Sequence, residues 1–203
     1  MKQLLFFAIL TIIFLFGVLS CSRSDEPYPD ELVDSIVING IRWATRNVAT
    51  PGTFAATTTD VGMLFQWNRQ QGWAAFGDIT NWNSTNPEGT EWETAHNPCP
   101  AGWRLPTRIE WQSLLNFGGC IPITRNNIDG CLFGIAPNQI FLPAAGRRSF
   151  NNGTLDHVNI SGFYWTGTQF NNEFAWAFSF IGGHMSTYRR ANGFSIRCVA
   201  IAQ

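Results

Sequence analysis

The chain contains few charged residues, and among them almost no lysine. Asp, Glu, Lys and Arg make up 13% of the 203 residues, about half the usual share for a globular protein. Lys2 is the only lysine, and without the first 20 residues 12 Arg face 14 Asp plus Glu. A groove for nucleic acid requires a strong basic excess. The charge balance therefore excludes nucleic acid as a partner.

Long apolar runs are also lacking, apart from one at the N-terminus. Residues 4–18 are apolar except for Thr11, and Lys2 precedes them. This run is short for a membrane span and fits a signal-peptide core. It ends in Val-Leu-Ser-Cys, which resembles a bacterial lipobox, so we expect a signal peptide at 1–20 and acylation, for example with palmitate, at Cys21. An uncleaved anchor is the alternative.

Residues 21–34 are acidic, contain Pro and show no periodicity, which is typical of an extended tether. The acidic triplet Ser24–Glu26 resembles the export signals of Bacteroidetes surface lipoproteins, although acidic residues are also ordinary in a solvated tether. At the tether's end, Asp34-Ser35-Ile36 resembles the O-glycosylation signal of the same bacteria. Ser35 is therefore a glycosylation candidate, with a plain strand start as the alternative.

Cysteine and histidine show no metal-ligand or redox spacing. Four Cys remain besides Cys21, none in a Cys-x-x-Cys unit, and in an oxidising compartment they allow three pairings. Cys120 and Cys131 bracket a short loop and could form a local bridge, leaving Cys99 and Cys198 for a long one. No base is tied to a Cys by spacing, and the three His are far apart, so we expect no catalytic thiol, metal or cofactor.

The remaining pattern predicts an α+β domain over 35–203. Val33 to Trp43 alternates around Asn39-Gly40 and predicts a hairpin. Gly62–Trp73 predicts a short amphipathic helix, and Thr107 with Glu110 forms a capping box for a second one. Residues 76–96 are expected to be a long loop. Four late strands are expected over 141–145, 162–168, 174–181 and 194–201.

Six blocks of the chain resemble the Fibrobacter succinogenes major paralogous domain, in the same order. The central block runs from Asn97 to Thr107 and continues through Glu110 and Trp111. The others are residues 43–48, 62–67, 142–148, 163–168 and 193–199. The helix start and the Gly-Phe-x-x-Arg-Cys ending also resemble the formylglycine-generating enzyme family.

This resemblance implies a C-type-lectin-like fold with two helices and a late antiparallel sheet, and it favours a Cys99–Cys198 bridge beside Cys120–Cys131. It carries over no catalytic residue, since the reactive Cys pair of the formylglycine-generating enzymes has no counterpart. The calcium motifs of sugar-binding lectins are absent as well. The paralogous family itself has no well-defined function to transfer.

The leading expectation is a non-enzymatic, lipid-anchored binding or adhesion module of the cell envelope. Its membrane contact is the N-terminal lipid, and its ligand is a glycan or a protein. An enzyme of formylglycine-generating type and a subunit of a surface fibre are the alternatives. Aromatic and arginine side chains on long loops favour binding, with burial inside the loops as the competing reading. The ligand-binding candidates are Trp73, Trp82, Trp92, Tyr188, Arg189, Arg190 and Asn192.

Overall fold

The computed structural model describes residues 35–202. The expected signal peptide, the tether at 21–34 and Cys21 lie outside the described residues. The elements, in chain order, are β1 (Ser35–Ile38), β2 (Ile41–Ala44), β3 (Met63–Gln66), β4 (Gly72–Ala74), β5 (Trp103–Arg104), α1 (Arg108–Asn116), β6 (Ile121–Arg125), β7 (Ile128–Ile135), β8 (Asn138–Pro143), β9 (Arg147–Arg148), β10 (Leu155–Asp156), β11 (Phe163–Gln169), β12 (Phe174–Ser179), β13 (His184–Arg189), β14 (Gly193–Phe194) and β15 (Val199–Ala200). Two single-turn 3-10 helices lie at Thr94–His96 and Ile181–Gly183.

The strands form four small sheets. The first has the order β1-β2-β15-β5 and the second β10-β9-β14-β3-β4. The third is the meander β11-β12-β13, and the fourth is the meander β6-β7-β8. All strand pairs within these sheets are antiparallel. Of the last two strands, β15 pairs within the first sheet and β14 within the second. The two ends of the domain are thus held together by pairing distant in sequence.

The expected α+β fold of C-type-lectin type is therefore wrong. Strands account for 41% of the described residues and helices for 9%, and those residues contain one α-helix rather than two. The sequence pattern also missed the hairpin of β6 and β7. The late sheet exists, but it is one of four, and the domain is mostly β.

The helix expected over Gly62–Trp73 is the hairpin of β3 and β4. The turn between them contains Asn68, which has a left-handed φ of 52°, and Leu64 pairs with Trp73. Strand β3 also pairs with β14, at Gly193 and Phe194. The three-residue spacing of Leu64 and Trp67 suggests a helix locally, but these long-range pairings outweigh that weak preference.

The third sheet separates two apolar cores. Side chains alternate across a strand, so Phe163, Trp165, Ala175 and Ala177 enter one core, whereas Tyr164 and Phe178 enter the other. Helix α1 closes the second core, where Trp111 stacks on Phe178 with ring centroids 5.4 Å apart. The strand alternation expected over 174–181 is thus confirmed by this packing.

Helix α1 begins where the capping box predicts. The Thr107 side chain accepts from the Glu110 backbone N–H, and the Glu110 carboxylate accepts from the Thr107 N–H. Arg104 then forms two hydrogen bonds to the same carboxylate, at 2.7 and 2.8 Å. Burial opposes the ionised form, but these bonds hold the pKa of Glu110 below its ordinary value. The helix start is fixed by local chemistry, so it was readable from sequence.

Both expected disulfides are confirmed. Cys99 is bonded to Cys198, which precedes β15, and Cys120 is bonded to Cys131 of β7. The first bridge spans 99 residues and the second 11. A crosslink stabilises mainly by restricting the unfolded chain, more so for a long loop. The Cys99–Cys198 bridge is therefore the larger constraint.

A buried arginine joins three of the sheets. Arg197 is fully buried and donates to the carbonyls of Ala44 and Phe141 at 3.1 and 3.0 Å, and to Asn47 Oδ1 at 2.7 Å. The Tyr164 hydroxyl lies beside it and donates to the Pro143 carbonyl at 2.8 Å. Burial lowers the pKa of Arg197 to about 10 and raises that of Tyr164 to about 12. At neutral pH the pair is a cation beside a neutral phenol.

Candidate functional site

The three loop tryptophans expected to face a ligand lie in different surroundings. Trp73 is buried in β4 and packs against Trp82 with centroids 5.0 Å apart. Trp82 is half-buried and donates its indole N–H to the Phe150 carbonyl at 3.0 Å. Trp92, also half-buried, packs against Trp67 and donates to the His96 carbonyl. Trp82 and Trp92 contact different parts of the domain, so the structure does not bring the three together on one surface.

The residues expected on the loop before the last strands are divided between interior and surface. Tyr188 packs inward against Phe163 and Phe194. Arg190 and Asn192 are buried, with 1% and 4% of their surface exposed. Arg189 alone of the four remains a partly exposed charge. The expectation that Arg190 and Asn192 face a ligand directly does not fit their burial.

Arg190 instead fastens the long loop to the third sheet. Its guanidinium donates to the carbonyls of Pro87 and Gly89 at 3.1 and 2.8 Å, and to Gln169 Oε1 at 2.7 Å. A further hydrogen bond reaches the Asn171 carbonyl. The guanidinium also lies 4.3 Å over the Trp67 ring. Burial lowers its pKa, and the planar fork meets several carbonyls at once in a way that lysine could not.

Arg148 fastens the beginning of the same loop. It donates to the carbonyls of Ala74, Phe76 and Gly77 at 2.8, 3.2 and 2.9 Å. A fourth bond reaches the Gly153 carbonyl at 2.6 Å. Burial lowers the pKa of Arg148 and the charge of Asp78 opposes that shift. Two buried arginines thus hold the long loop at both ends, although residues 76–96 have almost no regular structure of their own.

Next to these anchors lies a surface that we call the aromatic–arginine surface, formed by Trp82, Phe150, Phe174 and Arg189. The Arg189 guanidinium lies 5.0 Å over the Phe150 ring and 5.4 Å over the Phe174 ring. Its nearest carboxylate is Glu173, at a loose 3.5 Å. All four residues are half-buried. Trp82 and Arg189 were expected from the sequence, whereas the two phenylalanines were not, because they come from separate parts of the chain.

Glycines and Asn192 support this surface from behind. The Trp82 ring lies over the backbones of Gly153 and Gly193, where an added Cβ would come within 2.7 and 3.1 Å of the indole. Gly153 also has a left-handed φ of 72°. Asn192 Oδ1 accepts from the Phe150 N–H at 3.1 Å, and its amide donates to the Arg189 carbonyl. The buried Asn192 therefore positions two members of the surface.

The metal-ligating and nucleophilic side chains of the described residues are dispersed or bridged. No group of three or more His, Cys, Asp or Glu within residues 35–202 is placed to hold a metal ion. The four cysteines of that region are all in disulfides. Asp156 is contacted by Arg147 and by His157, and the ion pair holds the pKa of Asp156 below its ordinary value despite partial burial. That cluster bridges β9 and β10.

Ser35 lies at the start of β1 and is half-buried. Its hydroxyl accepts from Arg42 Nη1 at 3.1 Å, across the register that pairs Ser35 with Ala44. No helix within the described range is long and apolar enough to cross a membrane.

The fold and site together define a small β domain in which buried arginines and two disulfides hold long loops against short sheets. The chain belongs to the family of the Lcl C-terminal domain, whose model matches residues 56–200. The match covers the second, third and fourth sheets and both buried loop anchors. No curated protein and no solved structure shows significant similarity to the chain.

Proposed function

We propose that this chain is a lipid-anchored binding or adhesion module of the cell envelope, without enzymatic activity, whose ligand is a glycan or a protein. The observation that carries the proposal is the aromatic–arginine surface. Tryptophan, phenylalanine and arginine supply large contact area together with hydrogen-bond donors, and they dominate binding hot spots. Here Trp82 and Phe150 lie on loops of a rigid scaffold, where binding residues are commonly found, and Phe174 and Arg189 lie at the ends of strands β12 and β13.

The rigidity of these loops supports binding further. A ligand that orders a mobile loop loses affinity to the entropy of ordering. The forks of Arg148 and Arg190 make eight hydrogen bonds, and six of them end on carbonyls of loop segments and hold those segments in place. The side chains of Trp82 and Phe150 therefore approach a ligand already ordered.

The enzymatic alternative, of formylglycine-generating type, finds no support in the site. That chemistry requires a reactive cysteine pair, and Cys99, Cys120, Cys131 and Cys198 are bridged. The alternative of a surface-fibre subunit also lacks a specific observation in its favour, because β15, the last strand, is paired on both sides. We therefore propose neither.

We further infer an outer-membrane lipoprotein acylated at Cys21, facing the periplasm or the outside, in a Bacteroidetes-type cell. The support is the short apolar run ending in Val-Leu-Ser-Cys and the acidic tether behind it. Mass spectrometry of the membrane-extracted protein should show an acylated N-terminal Cys. An unmodified Cys21 or cleavage elsewhere contradicts the proposal, and the same spectrum tests Ser35, since a mass equal to polypeptide plus lipid excludes a glycan.

We also infer kinship with the Fibrobacter succinogenes major paralogous domain, on the strength of the six blocks. Several of their residues have structural roles that explain their spacing. Asn47, Tyr164 and Arg197 form a buried hydrogen-bonded cluster. Others form the Thr107–Glu110 capping box. The kinship concerns the sequence blocks, not the fold that was first expected from them.

The test of the binding function is an array of glycans and peptides probed with the mature full chain in detergent. Trp82→Ala should lower the binding of any retained ligand by at least tenfold, because the aromatic–arginine surface loses its largest side chain. Trp92→Ala is the matched control: a second half-buried tryptophan with its own carbonyl partner, outside that surface. Equal losses in both variants, or binding unchanged in Trp82→Ala, would show that the surface binds nothing.

A further inference from the structure

A groove with a volume of about 500 Å³ lies between helix α1 and the turn of the first hairpin. It is lined by Asn39, Arg108, Ile109, Gln112, Ser113 and Asn116. The helix contributes its outward face, opposite the buried Trp111 and Leu114. The volume lies within the range of ligand sites, roughly 300–1,000 Å³. We call it the helix groove.

The turn is fixed against the helix, so the groove has a defined shape. Asn39 has a left-handed φ of 48° in the turn, and its side-chain amide donates to Ser113 Oγ at 2.7 Å. On the helix, Gln112 donates to Asn116 Oδ1 at 3.0 Å. These bonds leave the Gln112 carbonyl oxygen and the Asn116 amide group without a partner among residues 35–202. One free acceptor and one free donor thus lie a single helical turn apart.

Arg108 is the only charged residue in the lining. Its guanidinium lies 3.7 Å over the Trp176 ring, and Phe170 packs edge-on against the same indole, with centroids 5.6 Å apart. Within the described part of the chain the guanidinium has no hydrogen-bond acceptor and no carboxylate partner. Stacking on an aromatic ring restrains the guanidinium while its edge N–H groups remain free.

We propose that the helix groove is a recognition site for an acidic peptide segment, with Arg108 pairing with a Glu or Asp carboxylate. An arginine fork is suited to bidentate pairing with a carboxylate, and the lining holds no acidic side chain to repel one. The free Gln112 oxygen can accept from a peptide N–H, and the free Asn116 amide can donate to a peptide carbonyl. Ile109, which is 80% exposed, provides contact for an apolar neighbour of the acidic residue.

A sugar fits this groove less well. Sugar rings are usually bound against the open face of an aromatic side chain, and here Arg108 covers the Trp176 face while Phe170 contacts its edge. The exposed apolar group is an aliphatic side chain, which offers no such platform. The charge and the free amides therefore favour a peptide.

The site does not depend on the function proposed for the aromatic–arginine surface. Phe174 and Trp176 lie two residues apart on the same face of β12, so the two surfaces are neighbours, but they use different arginines. A domain that binds nothing at Trp82 could still bind a peptide at Arg108, and the reverse holds as well.

The test uses a peptide array in which every Glu or Asp peptide has a Gln or Asn counterpart, probed with the mature full chain in detergent. At least one acidic peptide should bind tenfold or more better than its amide counterpart. Arg108→Gln should reduce that peptide to the level of the counterpart. Trp82→Ala should leave this preference unchanged, which separates the result from that for the first surface.

Arg125→Gln is the matched control, because Arg125 is also an exposed arginine lying over an aromatic ring, that of Phe141 at 5.5 Å. It should retain the acidic preference, and circular dichroism should show that both variants are folded. The proposal is overturned if no acidic peptide is preferred, if Arg108→Gln retains the preference, or if Arg125→Gln loses it equally. Should Arg108→Gln be misfolded, Gln112→Ala replaces it and should weaken the same peptide at least threefold.

Discussion

Replacing Arg197 with Met tests directly whether buried arginines hold the sheets together. Met is similar in length and fills much of the same volume, but it removes every donor that faces the carbonyls of Ala44 and Phe141 and the side-chain oxygen of Asn47. Each buried acceptor left without a donor costs about 1–3 kcal/mol. Relief from burying the charge offsets part of this, so we expect a loss of about 3–5 kcal/mol.

A loss of that size is a large share of the roughly 5–15 kcal/mol that typically stabilises a domain. The assay is urea unfolding of the oxidised protein, in which the midpoint should fall while the denaturant slope stays constant. Arg197→Lys keeps the charge but loses the planar fork, so it should be destabilised by at least about 2 kcal/mol. Arg125→Met, at an exposed arginine, should change the free energy of unfolding by less than about 0.5 kcal/mol.

A stability of Arg197→Met within about 1 kcal/mol of the wild type would contradict this expectation, because the Arg197 hydrogen bonds would then contribute no more than a packed apolar side chain. Equal stability of Arg197→Lys and the wild type would contradict it as well, because the charge rather than the planar fork would then suffice.

Three further predictions concern the tyrosine, the disulfides and the helix cap. The raised pKa of Tyr164, about 12 against 10 when unfolded, means that the folded state holds its proton longer; stability is intact below pH 10 and falls as the pH rises toward 12. Relative to Tyr164→Phe, the free energy of unfolding of the wild type should therefore fall by about 1.4 kcal/mol between pH 8 and pH 11. If urea unfolding shows the same difference between the two proteins at both pH values, the hydroxyl is not buried as described. Removing Cys99–Cys198 as a double Ser variant should cost about 4–5 kcal/mol and removing Cys120–Cys131 about 3 kcal/mol in the entropic model, so the reverse order of melting temperatures would count against it. Thr107→Ala should lower the free energy of unfolding in urea by about 1 kcal/mol, and Thr107→Ser should leave it almost unchanged. Equal stability of Thr107→Ala and the wild type would show that the cap does not stabilise the helix.

Local chemistry explains which elements could be read from the sequence. The start of α1 was predictable because Thr107 and Glu110 satisfy each other's backbone within one turn. Strand β12 was predictable because its alternating side chains enter two different cores. The disulfide pairing followed from counting the cysteines and from the family resemblance. Each of these signals lies within a few residues or in a count.

The elements that could not be predicted depend on partners far away in the chain. Strand β3 is held by Gly193 and Phe194, more than 120 residues later, and a hydrophobic spacing of three could not reveal that. Strand β6 has every residue exposed, so it lacks the alternation that marks a half-buried strand. The C-type-lectin-like fold was wrongly expected because it was inferred from motif residues. Asn47 and Arg197 are two of these residues, and they form a buried hydrogen-bonded cluster that does not by itself determine the number of helices.

For the same reason, only part of the candidate site could be predicted from the sequence. Trp82 and Arg189 were recognisable by residue type, but Phe150 and Phe174 join them only through folding. Arg190 was assigned to the surface because it was expected on the loop before the last strand, and charged residues are mostly exposed. One signal did point inward: the chain beyond residue 20 has 12 arginines and no lysine. A guanidinium can meet several carbonyls in one plane, whereas an ammonium cannot.

The buried arginines also explain how a domain with short strands can present ordered loops. All five strands of the second sheet have only two to four residues, and such short strands alone bury little surface. Arg148 and Arg190 connect that sheet and the third to the carbonyls of segments without regular structure, satisfying groups that would otherwise need water or a strand. Because each fork has several fixed donors, the loop can adopt few other arrangements. The half-buried Trp82 and Phe150 thus lie on segments that are held in place by charges buried inside the domain.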